Sequence, residues 1–455
     1  MRVAVAGATG FVGRPLCQAL GQAGHDVVAL GRSVQDNVSR NGVLWRSVDA
    51  YRLTECERGL QDVDVLVYLV HSMMPTAGLT QARFEDMDLI LADNMARAAA
   101  RCGVQRILYV SGLMPDEPEI SRHLESRREV EEALGGHGVP VTTLRAGLVV
   151  GPGGSSFQIL ERLVRRLPAM VLPRWTRQRT QPIGLNDLVQ VLVGCVNTPE
   201  TSGRTMDVGG PDVVTYRDLI AQTAAALGRT PMLLDVPVGS PVLSELWVTG
   251  VTGQPRQLTG PLVESLTHSM VARDRSLQLA LGVPGQPLTE TLNRATREAP
   301  ATLQVPRTPR DDTPRVRSVQ RMRLPPGRDA IWAAEQYLAW LPSALRPLTV
   351  SADGDRRSIQ LGPTSLLELT WNRDRSTPDR AVLRVTGGAL AAQPPRGRLE
   401  FREAAGVLLV AVHDFVPRLP WPIYKASQAQ GHLAVMAAFR SWLLRQTPQV
   451  AATGR

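Results

Sequence analysis

"VAVAGATGFVGRPL", Val3 to Leu16, decides how the rest of this 455-residue chain is read. An apolar run ends at Gly7, Gly10 and Gly13 follow at the next two glycine positions, and a helix-like stretch begins. The first glycine permits a tight turn after a strand. The second lets backbone come close to a pyrophosphate, and the third lets a helix pack tightly on a sheet. The helix N-terminus then offers free N–H groups and a positive dipole end to phosphate. A glycine pattern is weak alone and gains weight from its place between a predicted strand and a predicted helix. Gly7, Thr9, Gly10, Phe11, Val12, Gly13 and the adjoining Arg14 are therefore candidate dinucleotide-binding residues.

Working outward, the same alternation continues. "DVVALG" (Asp26 to Gly31), "VDVLVYLV" (Val63 to Val70), "RILYVSG" (Arg106 to Gly112) and "VPVTTLRAGLVVG" (Val139 to Gly151) read as buried strands. Helical stretches separate them, the longest being Phe84 to Gly103, which closes on a glycine. Near-continuous apolar strands alternating with helices predict a doubly wound parallel sheet covered on both faces, an α/β fold. From Pro152 the pattern loosens. A helix "SSFQILERLVRRL", the loop "PRWTRQRTQPIG" and a helix capped by Thr215 predict substrate-side insertions over 152–300. Residues 301–318, rich in Pro, Thr and charge, read as a linker. Beyond it, strand-like runs such as "GRLEFREAAGVLLVAVHDFV" and a final helix "QAQGHLAVMAAFRSWLLRQ" predict a second, α+β domain over 319–450.

The end of the second strand separates the two common dinucleotides. An acidic residue there would bind the ribose 2′-hydroxyl of NAD, but this strand ends in Arg32 and Ser33. A guanidinium suits a 2′-phosphate, so NADP is favoured, with NAD the alternative. Asp49 stands where such folds place a loop over the adenine, and it reads equally well as a turn former.

Composition removes several other classes. The net charge of +9 invites a nucleic-acid reading, but the excess is spread along the chain rather than gathered in a stripe. Four dispersed cysteines and seven ungrouped histidines predict free thiols and no metal site. No apolar run reaches the roughly 18–20 residues that span a bilayer. The chain is expected to be cytoplasmic, and nothing in it predicts an oligomeric state.

"GATGFVG", "VYLVHSM" (Val67 to Met73), "QRILYVSGL", "SRHLESRREVEEAL", "LRAGLVVGPGGSSF" and "LPRWTRQRTQPIG" together resemble the atypical short-chain dehydrogenase/reductases, nearest the NmrA-like and complex-I-accessory-subunit-like NAD(P)-binding proteins. The resemblance covers about residues 1–300. It implies an extended Rossmann fold and dinucleotide binding at Gly7, Gly10 and Gly13, with reductases, epimerases and non-catalytic redox sensors among its members. The region 319–450 loosely resembles a START-like helix-grip domain, which implies an apolar ligand cavity. An α+β domain that only packs against the first is the other reading.

A reductase of this family uses a Tyr as general acid, a Lys one helical turn away, and a Ser that polarises the carbonyl. Lys425 is the only lysine, far beyond the nucleotide-binding half, so no Tyr-x-x-x-Lys pair exists. Tyr51, Tyr68 and Tyr109 are not on the expected helix. Ser111, closing "RILYVSG", occupies the family's serine position, or else caps a strand end. In "ISRHLESRREVEEAL" (Ile120 to Leu134), Ser121 is a plausible N-cap, and His123, Arg127, Val130 and Leu134 form one stripe. Because Val130 and Leu134 belong in a core, His123 and Arg127 are expected to face inward. Arg127 can hold a ribose or phosphate without giving up a proton, and His123 can act as a general acid. A purely structural hydrogen-bond network is the alternative. His71, at the end of the strand before "SMM", completes the candidate set on the nicotinamide side.

The expected function is an NADP-dependent oxidoreductase acting on a small or apolar carbonyl compound. A non-catalytic dinucleotide-binding sensor or ligand carrier is the alternative.

Overall fold

A computed structural model describes residues 1–71, 79–117, 119–236, 264–308 and 315–446. Ser72 and Met73 of the "VYLVHSM" stretch, residues 309–314 of the expected linker and 447–450 of the expected second domain lie outside these. The chain divides into two compact units, Met1–Met74 with Leu91–Pro309, and Pro75–Ile90 with Arg310–Arg455.

The first unit is built on an eight-stranded sheet. Its order is Thr205–Val208, Val141–Ala146, Arg106–Gly112, Val65–Tyr68, Arg2–Ala6, Asp26–Gly31, Val43–Ser47 and Val38–Arg40. Every neighbouring pair is parallel except the last, a short hairpin onto the edge. Strands such as "VAVA" and "VLVY" are buried on both faces because helices cover both. The chain leaves the central strand Arg2–Ala6 toward one edge, then returns to build outward on the other side with Val65–Tyr68. That reversal opens a crevice at the carboxyl ends of these two strands, where doubly wound sheets bind ligands.

The substrate-side region holds helices Ser155–Arg166, Leu185–Asn197, Tyr216–Ala226 and Leu288–Arg297. Thr215 caps the third, through a capping box with Asp218.

The second unit is an antiparallel meander. Strands Leu348–Asp353, Arg356–Leu361, Thr364–Trp371, Arg380–Gly387, Arg398–Ala404 and Val407–Phe415 pair in sequence order, and Val316–Met322 lies beside the last of them. Leu79–Gln81 adds a parallel edge to Val316–Ser318, so a short piece of the first third of the sequence belongs to this sheet. Helix Ala330–Ala344 and the final helix Gln428–Gln446 contribute to its apolar core. There Tyr337 lies 5.1 Å from Phe439 and 5.6 Å from Phe401, ring centre to ring centre. No helix among the described residues is long and apolar enough to cross a membrane.

Candidate functional site

The glycine loop folds as its sequence demands. Gly7 turns the chain at φ +93°, a conformation L side chains rarely adopt, and the Gly10 N–H donates to its carbonyl at 2.9 Å. A Cβ on Gly13 would lie 2.2 Å from the Gly7 carbonyl oxygen, so only glycine lets helix Gly13–Gln22 start this close to the strand end. A Cβ on Gly10 would meet only the Gly7 oxygen, at 3.0 Å, and otherwise open space. The helix begins without a side-chain cap and without an acidic residue in its first turn, which leaves its positive end available to an anion. Arg14 is tied to the loop, its Nε donating to the Thr9 carbonyl at 2.9 Å. These features fit a dinucleotide pyrophosphate held by the loop.

Arg32 is exposed directly after strand Asp26–Gly31, with Ser33 beside it. Asp49 forms a turn, its Oδ1 accepting from the Tyr51 N–H at 3.2 Å.

The next three strands end at the same edge, and the helix Arg122–Gly135 brings its inward stripe to them. Ser121 caps this helix, accepting from the Leu124 N–H at 3.3 Å. Arg127, Val130 and Leu134 are buried and His123 is partly so, while Arg128 and Glu132 are exposed. Arg127 donates to the Tyr109 hydroxyl at 3.3 Å and to Nδ1 of His71. Arginine has no acceptor, so His71 must accept at Nδ1 and carry its proton on Nε2. The His71 and His123 rings lie 5.7 Å apart. Ser111 is 5% exposed, and its hydroxyl has no hydrogen-bond partner. A buried hydroxyl needs a hydrogen-bond partner, and because Ser111 lies on a cavity wall that partner can come from the cavity.

One cavity of about 310 Å³ gathers these parts. Phe11 and Val12 of the glycine loop, His71, Ser111, His123 and Arg127 all line it. Arg32, Ser33, Asp49 and Arg14 are not on its wall. Tyr216, which the sequence reading did not weigh, also lines it. Burial pushes the Tyr216 phenol up to about 12, only partly offset by a hydrogen bond with Thr180. The cap expected at Thr215 makes Tyr216 the first residue of a helix, but no local signal says that this helix begins over the sheet's carboxyl edge. Among the described residues no cluster of His, Cys, Asp or Glu could hold a metal ion.

Comparison with known proteins agrees with this geometry. Residues 3–209 match the NAD dependent epimerase/dehydratase family. This part of the chain has a Rossmann fold, and its sequence is similar to that of extended, atypical short-chain dehydrogenase/reductases, which bind NAD(P). Among curated relatives, a ceramide reductase of Caulobacter vibrioides is 29% identical over 238 residues, covering 52% of this chain and 73% of that protein. Subunit 9 of the NADH dehydrogenase 1 alpha subcomplex of Arabidopsis thaliana is 26% identical, over 51% of this chain and 60% of its own length. Among solved structures, an NADPH-dependent quinone oxidoreductase of Escherichia coli in complex with NADPH superposes with a TM-score of 0.52 at 17% identity, covering 65% of this chain and all of that one. At that identity the likeness is one of fold.

Proposed function

We propose that the first unit is an NADP-dependent oxidoreductase of carbonyl compounds. The observation that carries this reading is the unsatisfied Ser111 hydroxyl in the cavity shared by the glycine loop, His123 and Arg127. The nucleotide would be held by Gly7, Thr9, Gly10, Phe11, Val12 and Gly13, with Arg14 and Arg32 adding positive charge and Ser33 a hydroxyl at the adenosine end. Arg32 supports NADP over NAD. When bound, NADPH supplies hydride to the carbonyl carbon.

The chain's own groups do the rest. Ser111 donates its hydrogen bond to the carbonyl oxygen, where negative charge develops. His123 supplies the proton to that oxygen. Arg127 fixes His71 in one tautomer and adds positive charge beside the developing alkoxide. Asp49 shapes the adenine-side turn. NADPH consumption over a carbonyl panel, with His123→Ala as the control, tests the scheme. Turnover that falls at least about 100-fold in the variant supports it, and tight NADPH binding with no turnover of any compound would overturn it.

That overturning result would favour a second reading, a dinucleotide-binding sensor or carrier without chemistry, supported by the missing Tyr-x-x-x-Lys pair. In the second unit, the strand order and the long final helix support a START-like domain. The half-buried Trp332, Trp421 and Trp442 around its core support an apolar small-molecule ligand there. Four unbridged cysteines support a cytoplasmic setting.

A further inference from the structure

The cavity wall carries basic side chains. His71, His123 and Arg127 line it, and among the described residues no Asp or Glu does. Helix Ser155–Arg166, twelve residues long, starts at this wall, and Gly154, Ser155 and Ser156 all line it. Its N-cap is Gly154, which brings no side chain. Its first turn has no acidic residue, and its last turn carries Arg165 and Arg166. The positive end of the helix dipole therefore faces the cavity with no carboxylate in its first turn and, among the described residues, none on the wall to balance it. A Cβ on Gly154 would lie 2.7 Å from the Phe11 ring, so glycine is what lets this helix start beside the nucleotide loop. The second, independent sign of a ligand is Ser111, buried and unsatisfied on the same wall.

We propose that the site takes a carbonyl compound bearing an oxyanion, a carboxylate or phosphate, seated on the N-terminus of helix Ser155–Arg166. This rests on the oxidoreductase reading for the carbonyl and sharpens the substrate from any small carbonyl to an acidic one. Backbone N–H groups and the helix end bind the oxyanion, and Ser111 takes the carbonyl oxygen.

The test uses the full chain loaded with NADP⁺ and titrated calorimetrically with levulinate, methyl levulinate and inorganic phosphate. Levulinate is expected to bind at least about tenfold more tightly than its neutral methyl ester. Phosphate displacing levulinate would mark the phosphate monoester as the better class, and phosphate without effect would mark the carboxylate. Ser156→Asp places a negative charge in the first helical turn, which favours the helix. The variant should keep or raise its melting temperature and its NADP⁺ affinity while losing levulinate binding at least about tenfold. Equal binding of acid and ester would overturn the proposal. So would a joint loss of levulinate and NADP⁺ in Ser156→Asp, which would give the helix end to the cofactor instead.

NADPH consumption, measured in parallel with NADPH in place of NADP⁺, separates the two readings. Levulinate binding without turnover of any carbonyl keeps the oxyanion site and overturns the oxidoreductase, whereas equal turnover of acid and ester does the reverse.

Discussion

Two buried polar groups, one in each unit, are treated in opposite ways. In the second unit, Glu400 is 1% exposed, yet both of its oxygens are saturated. Arg380 donates to them at 2.9 and 3.2 Å, Arg398 at 2.9 Å and Arg402 at 2.8 Å. Burial alone would push the Glu400 carboxyl up, but the three guanidinium groups more than offset this and hold it well below the usual carboxylate range. Asp86, on the segment shared with this sheet, accepts from Arg321 at 2.6 Å. In the first unit, Ser111 is almost as deeply buried and has no partner. A network that closes on itself leaves no group for a ligand, while an open one on a cavity wall can receive one. The difference separates buried polarity that holds a fold from buried polarity that serves a site.

Glu400→Gln should have the largest effect. It keeps the side-chain volume but leaves buried Arg380 and Arg402, and half-buried Arg398, without this anion. Removing one partner of a buried ion pair costs about 3–5 kcal/mol, and unfolding of the second unit in denaturant should shift by that much. A shift below about 1 kcal/mol would mean the cluster is not closed in solution.

Ser111→Ala should behave the other way. It removes an unsatisfied hydroxyl, so stability should stay within about 1 kcal/mol of the parent or rise. Turnover, measured as kcat/KM, should fall about 100-fold through loss of a donor to the developing oxyanion. A variant that is much less stable would put Ser111 with the structural groups.

The contrast was only half legible in the sequence. "RILYVSG" and "DVVALG" announce parallel strands because both faces are apolar, and the structure places them at Arg106–Gly112 and Asp26–Gly31. The stripe of His123, Arg127, Val130 and Leu134 follows from helical periodicity, and the helix Arg122–Gly135 presents it inward. "RLEFREA" alternates as a strand does, and Leu399 and Phe401 do face the apolar core. Alternation gives the period of a strand but cannot say whether its polar side meets water. Here Arg398, Glu400 and Arg402 form the second side, and the last two are fully buried. Tyr216 was hidden for a related reason. Its place on the cavity wall depends on long-range topology, which a local cap signal does not carry. Leu79–Gln81 is a three-residue edge strand with no periodicity long enough to read.

A third prediction sharpens the structural side of the comparison. His432 Nε2 lies 3.1 Å from the Ser318 hydroxyl, and burial pushes its imidazole down from the ordinary value to about 4. The folded state therefore resists a proton that the unfolded chain accepts near pH 6.5. Stability is present above that pH and is lost as pH falls from about 6.5 toward 4. Because His432 as a residue is half-buried, the loss should be about 1–2 kcal/mol after solvent screening. Thermal unfolding at stepped pH should show this slope in the parent and a flatter one in His432→Gln. An unchanged slope would assign the acid sensitivity to other groups of the same unit, of which buried His413 is also held neutral.

The smallest effect tests the outer end of the nucleotide site, where polarity meets solvent. Arg32 is exposed at the end of its strand, so its pairing with a 2′-phosphate is screened and worth about 1 kcal/mol. Arg32→Ala should weaken NADPH about fivefold and leave NADH binding unchanged, because only the former carries the extra phosphate. The preference should also shrink in the parent as salt is raised, since the Debye length falls from about 10 Å at 0.1 M to about 3 Å at 1 M. Equal weakening of both dinucleotides would place Arg32 on the pyrophosphate they share. A salt-insensitive preference would mean that a buried group, of the kind Ser111 represents, sets the choice of cofactor.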